Sequence, residues 1–217
     1  LLDDQNRIRG PQAAKIGPDG RLYVVSEENG RILRYDARTL AYIDTFITTG
    51  AGFNATGIAF GPDGDVYLGG YASDTVRRYD GTTGAFEATV VAARAAGLNG
   101  PDNGLTFGPD GRLYIPAYDS NSVAVYDPAS GTTSAFIAPS SGGLSQTRGI
   151  LFEANGNVLV SGEGSNAILR YGPGGNFIGT FVTGLTGPTG LTRTANGRIL
   201  VANNANGAEF IAADGTR

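Results

Sequence analysis

One four-residue turn is written five times along the chain. It reads Gly-Pro-Asp-Gly at Gly17–Gly20, Gly61–Gly64 and Gly108–Gly111, then Glu-Ala-Asn-Gly at Glu153–Gly156 and Thr-Ala-Asn-Gly at Thr194–Gly197. The first positions lie 44, 47, 45 and 41 residues apart. Proline in second place suits a type I turn and the closing glycine supplies a positive φ, so the pattern predicts tight hairpins. Short apolar runs flank the turns. A first run reads GIAF at Gly57–Phe60, GLTF at Gly104–Phe107 and GILF at Gly149–Phe152. A second follows each turn: RLYVV from Arg21, DVYLG from Asp65, RLYIP from Arg112, NVLVS from Asn157 and RILVA from Arg198. A third carries a recurrent tyrosine: RILRYD at Arg31–Asp36, TVRRYD at Thr75–Asp80, SVAVYD at Ser122–Asp127 and AILRYG at Ala167–Gly172. A fourth begins at Ala41, Ala85, Thr133 and Asn176.

Strand-built units of this period bury their faces against one another, which predicts an all-β protein forming a single β-propeller. The expected architecture is five blades of four antiparallel strands, covering about 11–50, 52–98, 101–140, 145–185 and 187–217. The fifth blade is short, with a third strand read at Phe210–Asp214 and no fourth. An open strand edge invites pairing, so residues 1–9 are expected to supply the missing strand, within the chain or between copies joined head to tail. Val90–Leu98 reads as a connector with room for one helical turn.

Composition narrows the chemistry. Charged residues are 17% of the chain, the net charge is −4, and no basic stripe is present to track phosphates, so nucleic acid is not an expected partner. No apolar run has the length to span a bilayer. Cysteine, methionine, histidine and tryptophan are absent. Lack of histidine removes the commonest general base and transition-metal ligand. A first residue other than methionine fits a processed or truncated chain, read here as one that has lost a secretory signal and works outside the cell, at its surface or in the periplasm.

The combination of GPDG, LYV and LRYD with DGTTGAF at Asp80–Phe86 resembles the NHL-type repeats of extracellular bacterial propellers, from Gly10 to about Asp214. That resemblance implies the fold and a binding, scaffold or enzymatic role. Virginiamycin B lyase-like propellers depend on histidine, which this chain lacks. The gluconolactonase/paraoxonase group holds a calcium-type ion with Glu, Asn and Asp. PDNGLTFGPDG at Pro101–Gly111 is similar to a strand start in that group, which implies Asn103 as a candidate ligand.

In a propeller the loops at one face converge on the axis. Positions just before the first strand give one ring, Gln12, Thr56, Asn103, Arg148 and Thr189; the ends of the second strands give another, Glu27, Tyr71, Tyr118, Glu163 and Asn204. They vary while the strands beside them stay uniform, as ligand-facing loops do, although solvated residues around a watery channel would look the same. Glu27, Asn103, Tyr118, Arg148, Glu163 and Asn204 are therefore the candidate ligand-binding residues. Glu27, Asn103 and Glu163 are candidate ligands for Ca²⁺, opposed by the charge of Arg148. No residue is assigned a catalytic role. GEGSNA at Gly162–Ala167 matches a phosphate loop but leads into a strand rather than a helix. The expected function is a secreted, non-catalytic propeller for binding, scaffolding or self-assembly, with no required cofactor. Its partners would be itself, another extracellular protein or a small polar ligand. The alternative is a metal-dependent hydrolase of the lactonase type.

Overall fold

The computed structural model describes residues 7–205 and 207–217 and is an all-β, five-bladed propeller. Blade 1 comprises β1 (Pro11–Ile16), β2 (Arg21–Ser26), β3 (Arg31–Asp36) and β4 (Tyr42–Thr48). Blade 2 comprises β5 (Ala55–Phe60), β6 (Val66–Gly70), β7 (Thr75–Tyr79) and β8 (Phe86–Val91). Blade 3 comprises β9 (Thr106–Phe107), β10 (Leu113–Ala117), β11 (Ser122–Asp127) and β12 (Thr132–Ile137). Blade 4 comprises β13 (Thr147–Phe152), β14 (Val158–Gly162), β15 (Ala167–Tyr171) and β16 (Phe177–Val182). Blade 5 comprises β17 (Pro188–Arg193), β18 (Ile199–Asn203) and β19 (Gly207–Ile211). Every blade is an antiparallel meander in chain order. No helix in the described residues is long and apolar enough to cross a membrane.

The five recurrent turns all join a first strand to a second, so all lie at the end of the blades opposite the two rings. Their chemistry falls into two sets. In blades 1–3 the turn aspartate accepts a backbone N–H and also the hydroxyl of a second-strand tyrosine: Asp19 with Tyr23, Asp63 with Tyr67 at 2.7 Å, Asp110 with Tyr114. These rings are nearly wholly buried, and a Cβ on the turn's first glycine would stand 2.5, 2.8 and 2.6 Å from them at Gly17, Gly61 and Gly108. Blades 4 and 5 carry Leu159 and Leu200 in the tyrosine's place. There the turn's third residue is asparagine and its first is Glu153 or Thr194, because neither the extra acceptor nor the empty space is needed.

Core packing runs between blades. Four clusters join blades 1 to 2, 2 to 3, 3 to 4 and 4 to 5. Of the recurrent tyrosines, Tyr79, Tyr126 and Tyr171 are part of this packing while Tyr35 belongs to a cluster within blade 1; all four are buried, and three of them meet a fourth-strand aromatic edge-on. Connectors between blades drive Phe53, Leu98, Leu144 and Leu185 into the same clusters. One of them carries a turn at Ala95–Gly97 within the connector Val90–Leu98, with Ala96 in the left-handed region at φ 53° rather than in a helical conformation.

One expectation about the chain ends is revised and one lies mostly outside the described residues. The third strand of blade 5 is Gly207–Ile211 rather than Phe210–Asp214, since Ala212–Gly215 forms a hairpin turn of the kind that follows β15. The closing strand expected from 1–9 falls mostly outside the described residues. Its described part lies on blade 1, where Arg9 exchanges hydrogen bonds with the Ser26 hydroxyl and Ile8 packs against Val24, Leu33 and Tyr35. Blades 5 and 1 are not joined as the others are. Cβ positions on Gly57, Gly104 and Gly149 would strike the next blade's backbone at Asp102, Arg148 and Thr189, whereas one on Gly190 would meet only Ala202 of its own blade. No core cluster among the described residues spans that junction.

Candidate functional site

Each blade presents its ring residues by the same local device. The first strand pairs with the second regularly except at its start, where a β-bulge falls at Gln12, at Thr56, at Arg148–Gly149 and at Thr189–Gly190. A bulge kinks the strand and re-aims its side chain, here toward the mouth at Gln12, Thr56 and Arg148, whereas Thr189 lines a separate channel. The second-strand ends are fixed by a backbone bond in all five blades. Glu27, Tyr71, Tyr118, Glu163 and Asn204 donate N–H to the carbonyls of Gly10, Asn54, Gly100, Gln146 and Gly187. All five acceptors have positive φ, including Asn54 at 51° and Gln146 at 53°, where a side chain normally resists it.

Blade 3 breaks the register. Pro101 pairs with Ala117 and Thr106 with Tyr114, so one more residue lies between these points than in blade 2. The side chain equivalent to Thr56 is therefore Asp102, and Asn103 is displaced from the mouth ring. Asp102 was not singled out from the sequence, because in PDNG both residues are plausible strand starters and only the strand pairing reveals the insertion.

The mouth holds a pocket of about 240 Å³ lined by Gln12, Glu27, Thr56, Tyr71, Asp102, Tyr118 and Arg148. Arg148 organises it. Its Nη1 donates to both Asp102 carboxylate oxygens at 2.8 Å, and its Nε donates to Glu163 Oε2 at 2.6 Å. Its guanidinium carbon lies 4.5 Å from the centre of the Tyr118 ring. The Asp102 side chain is only 2% exposed, against 18% for Arg148 and Glu163. Burial pushes the Asp102 carboxyl up, with Arg148 opposing. Burial also works against the Arg148 charge, but Asp102 and Glu163 outweigh it and hold the guanidinium protonated. The opposite wall pairs Gln12 Nε2 with Glu27 Oε2 at 2.6 Å. The Tyr71 hydroxyl donates to Asp119 at 3.1 Å, and the Tyr71 ring meets Tyr118 edge-on. Burial raises the pKa of both tyrosines, which keeps them neutral donors.

Of the candidates, Glu27, Tyr118 and Arg148 line this pocket, and Glu163 buttresses it through Arg148. Asn204 is exposed on blade 5 and Asn103 lines a separate channel, so neither joins them. The Ca²⁺ set of Glu27, Asn103 and Glu163 is thus not brought together. The residues present do not fit a cation as they stand, since Arg148 already bridges the two carboxylates that would face it. The one group of three carboxylates close enough to share an ion among the described residues is Asp65, Asp80 and Glu87, beside Arg78, which lies 2.7 Å from Glu87.

Among solved structures, several propellers superpose along almost the whole chain. The nidogen/laminin complex matches with a TM-score of 0.76 at 16% identity, over 94% of this chain and 76% of that one. A gluconolactonase from Xanthomonas campestris matches with a TM-score of 0.74 at 18% identity, over 96% and 73%. Virginiamycin B lyase from Staphylococcus aureus matches with a TM-score of 0.72 at 17% identity, over 95% and 68%. The fold is that of the NHL- and gluconolactonase-type propellers. No family model and no curated protein matches the sequence. At these identities the likeness is one of fold.

Proposed function

We propose that this propeller is a non-catalytic binding module whose mouth pocket takes a small, neutral, polyhydroxylated ligand of the sugar type. The observation that carries this reading is the Asp102–Arg148–Glu163 bridge stacked on Tyr118. It leaves a rigid polar wall whose charges are largely spent on one another, so the pocket selects for hydrogen bonding rather than for a strong ionic partner. Amide, carboxylate and phenol groups from Gln12, Glu27, Tyr71 and Tyr118 can donate to and accept from hydroxyls, and two aromatic rings offer apolar faces. Secretion, and association with a further copy through the open edge of blade 5, belong to the same proposal.

Calorimetric titration with D-glucose and D-glucono-1,5-lactone tests it. Saturable binding that Tyr118→Ala abolishes is expected; absence of heat with either compound would count against it. The alternative, metal-assisted lactone hydrolysis, draws on the three carboxylates Glu27, Asp102 and Glu163 around the mouth. It requires Arg148 to release two of them. Lactone turnover that appears with Ca²⁺ and disappears with chelator would favour that alternative.

A further inference from the structure

The chain contains fifteen arginines and one lysine, and the lysine sits apart from every surface charge network. Lys15 lies on β1 in the axial channel, a cavity of about 470 Å³ that shares Gln12 alone with the lining of the mouth pocket. Its Nζ crosses the channel to donate to the Leu105 carbonyl of blade 3 at 2.7 Å. The acceptor lies between Asn103 and Thr106, which line the same channel, as do Thr189 and Thr192 of β17. The Asn103 side-chain amide and the Thr106 and Thr192 hydroxyls have no hydrogen-bond partner among the described residues. No carboxylate lines the channel: the segments facing Lys15 from β9, β13, β17 and β18 contribute no titratable group.

An ammonium with two protons to spare, in a donor-lined channel without a counter-charge, is half of an ion pair. Burial alone lowers the Lys15 pKa to about 8, as expected of a cation that lacks an anionic partner. We propose that the axial channel is a binding site for a small organic carboxylate, held by Lys15 Nζ together with the Asn103 amide and the Thr106 hydroxyl. The site is separate from the mouth pocket, whose one cation, Arg148, is already taken by Asp102 and Glu163. The carboxylate binds the protonated amine, so affinity falls as pH rises from 7 to 9 and the bound amine titrates at higher pH than the free one.

Because Lys15 is the only lysine, ¹³Cε-lysine labelling of the full chain gives one side-chain signal. Acetate and succinate are expected to shift that signal saturably and to raise its titration midpoint above about 8, while sodium chloride at equal ionic strength does neither. In thermal-shift titrations Lys15→Met is expected to lose the stabilisation by succinate, and Asn103→Ala, which leaves the Leu105 bond intact, to weaken it several-fold. If the signal follows ionic strength alone, or if Lys15→Met and Asn103→Ala are stabilised by succinate as the parent is, the proposal is wrong. A matching response to inorganic phosphate and to carboxylates would contradict the carboxylate assignment.

Discussion

At the scale of single residues, the turn signature doubles as a packing code. Asp63 closes a turn and also accepts the buried Tyr67 hydroxyl, while Gly61 keeps clear the space that the Asp63 carboxylate and the ring edge fill. Tyr67→Phe should cost about 1 kcal/mol in urea unfolding, the usual worth of one hydrogen bond. Gly61→Ala should cost more, and Tyr67→Leu in the same chain should recover part of that loss, because it recreates the pairing found in blades 4 and 5. Additive costs in the double variant would disprove the coupling. Lys15 makes a second residue-scale prediction. Its folded pKa near 8 lies below the ordinary lysine value of 10.5, so the unfolded chain binds more protons between those limits. Stability should therefore rise with pH from 8 to about 10, and Lys15→Met should flatten that rise. Above pH 10 the raised pKa values of Tyr67 and Tyr171 act in the opposite sense.

At the scale of the strand and its bulge, the mouth is part of the protein's scaffold as well as its site. From the sequence, both rings read as ligand-facing loop positions. Arg148 is a structural part as well: removing it leaves the buried Asp102 carboxylate without its counter-charge, at roughly 3–5 kcal/mol, whereas removing Asp102 leaves Arg148 paired with Glu163. Arg148→Met should lower the unfolding free energy by that order, whereas Gln12→Ala at the partly exposed opposite wall should stay within about 0.5 kcal/mol. Equal, small losses for both would show the bridge to be solvent-screened. The blades, their turns and their tyrosines were legible from spacing because each copy repeats the same steric demands. Gln12, Thr56, Arg148 and Thr189 were legible for the same reason. Asp102 was not: one inserted residue in Pro101–Leu105 slides the ring by a position, and an insertion inside a polar run leaves no periodic mark. The pairing of turn aspartate with tyrosine was visible in the sequence as the joint change to Asn155 with Leu159 and Asn196 with Leu200.

At the scale of the whole molecule, stability is a sum of neighbouring-blade interfaces, and one interface is weak. Blades 1–5 are joined in series through four core clusters, while Gly190 of β17 faces no following blade. Phe210 on β19 is 48% exposed and Ile16 on β1 is 58% exposed. Hydrogen exchange should accordingly be fastest in β17–β19 and slowest in β5–β7 and β10–β15, which are packed on both sides. Uniform protection around the ring would mean that blades 5 and 1 are coupled after all. The central claim is that the converging bulges build a ligand pocket at the mouth, walled by Arg148 between Asp102 and Glu163. Backbone amide spectra recorded during titration with D-glucose and D-glucono-1,5-lactone test it most directly. The account predicts saturable shifts clustered at Gln12, Thr56, Tyr71 and Tyr118 and lost in Tyr118→Ala. No shift at these residues, or shifts confined to the outer strands, would contradict it.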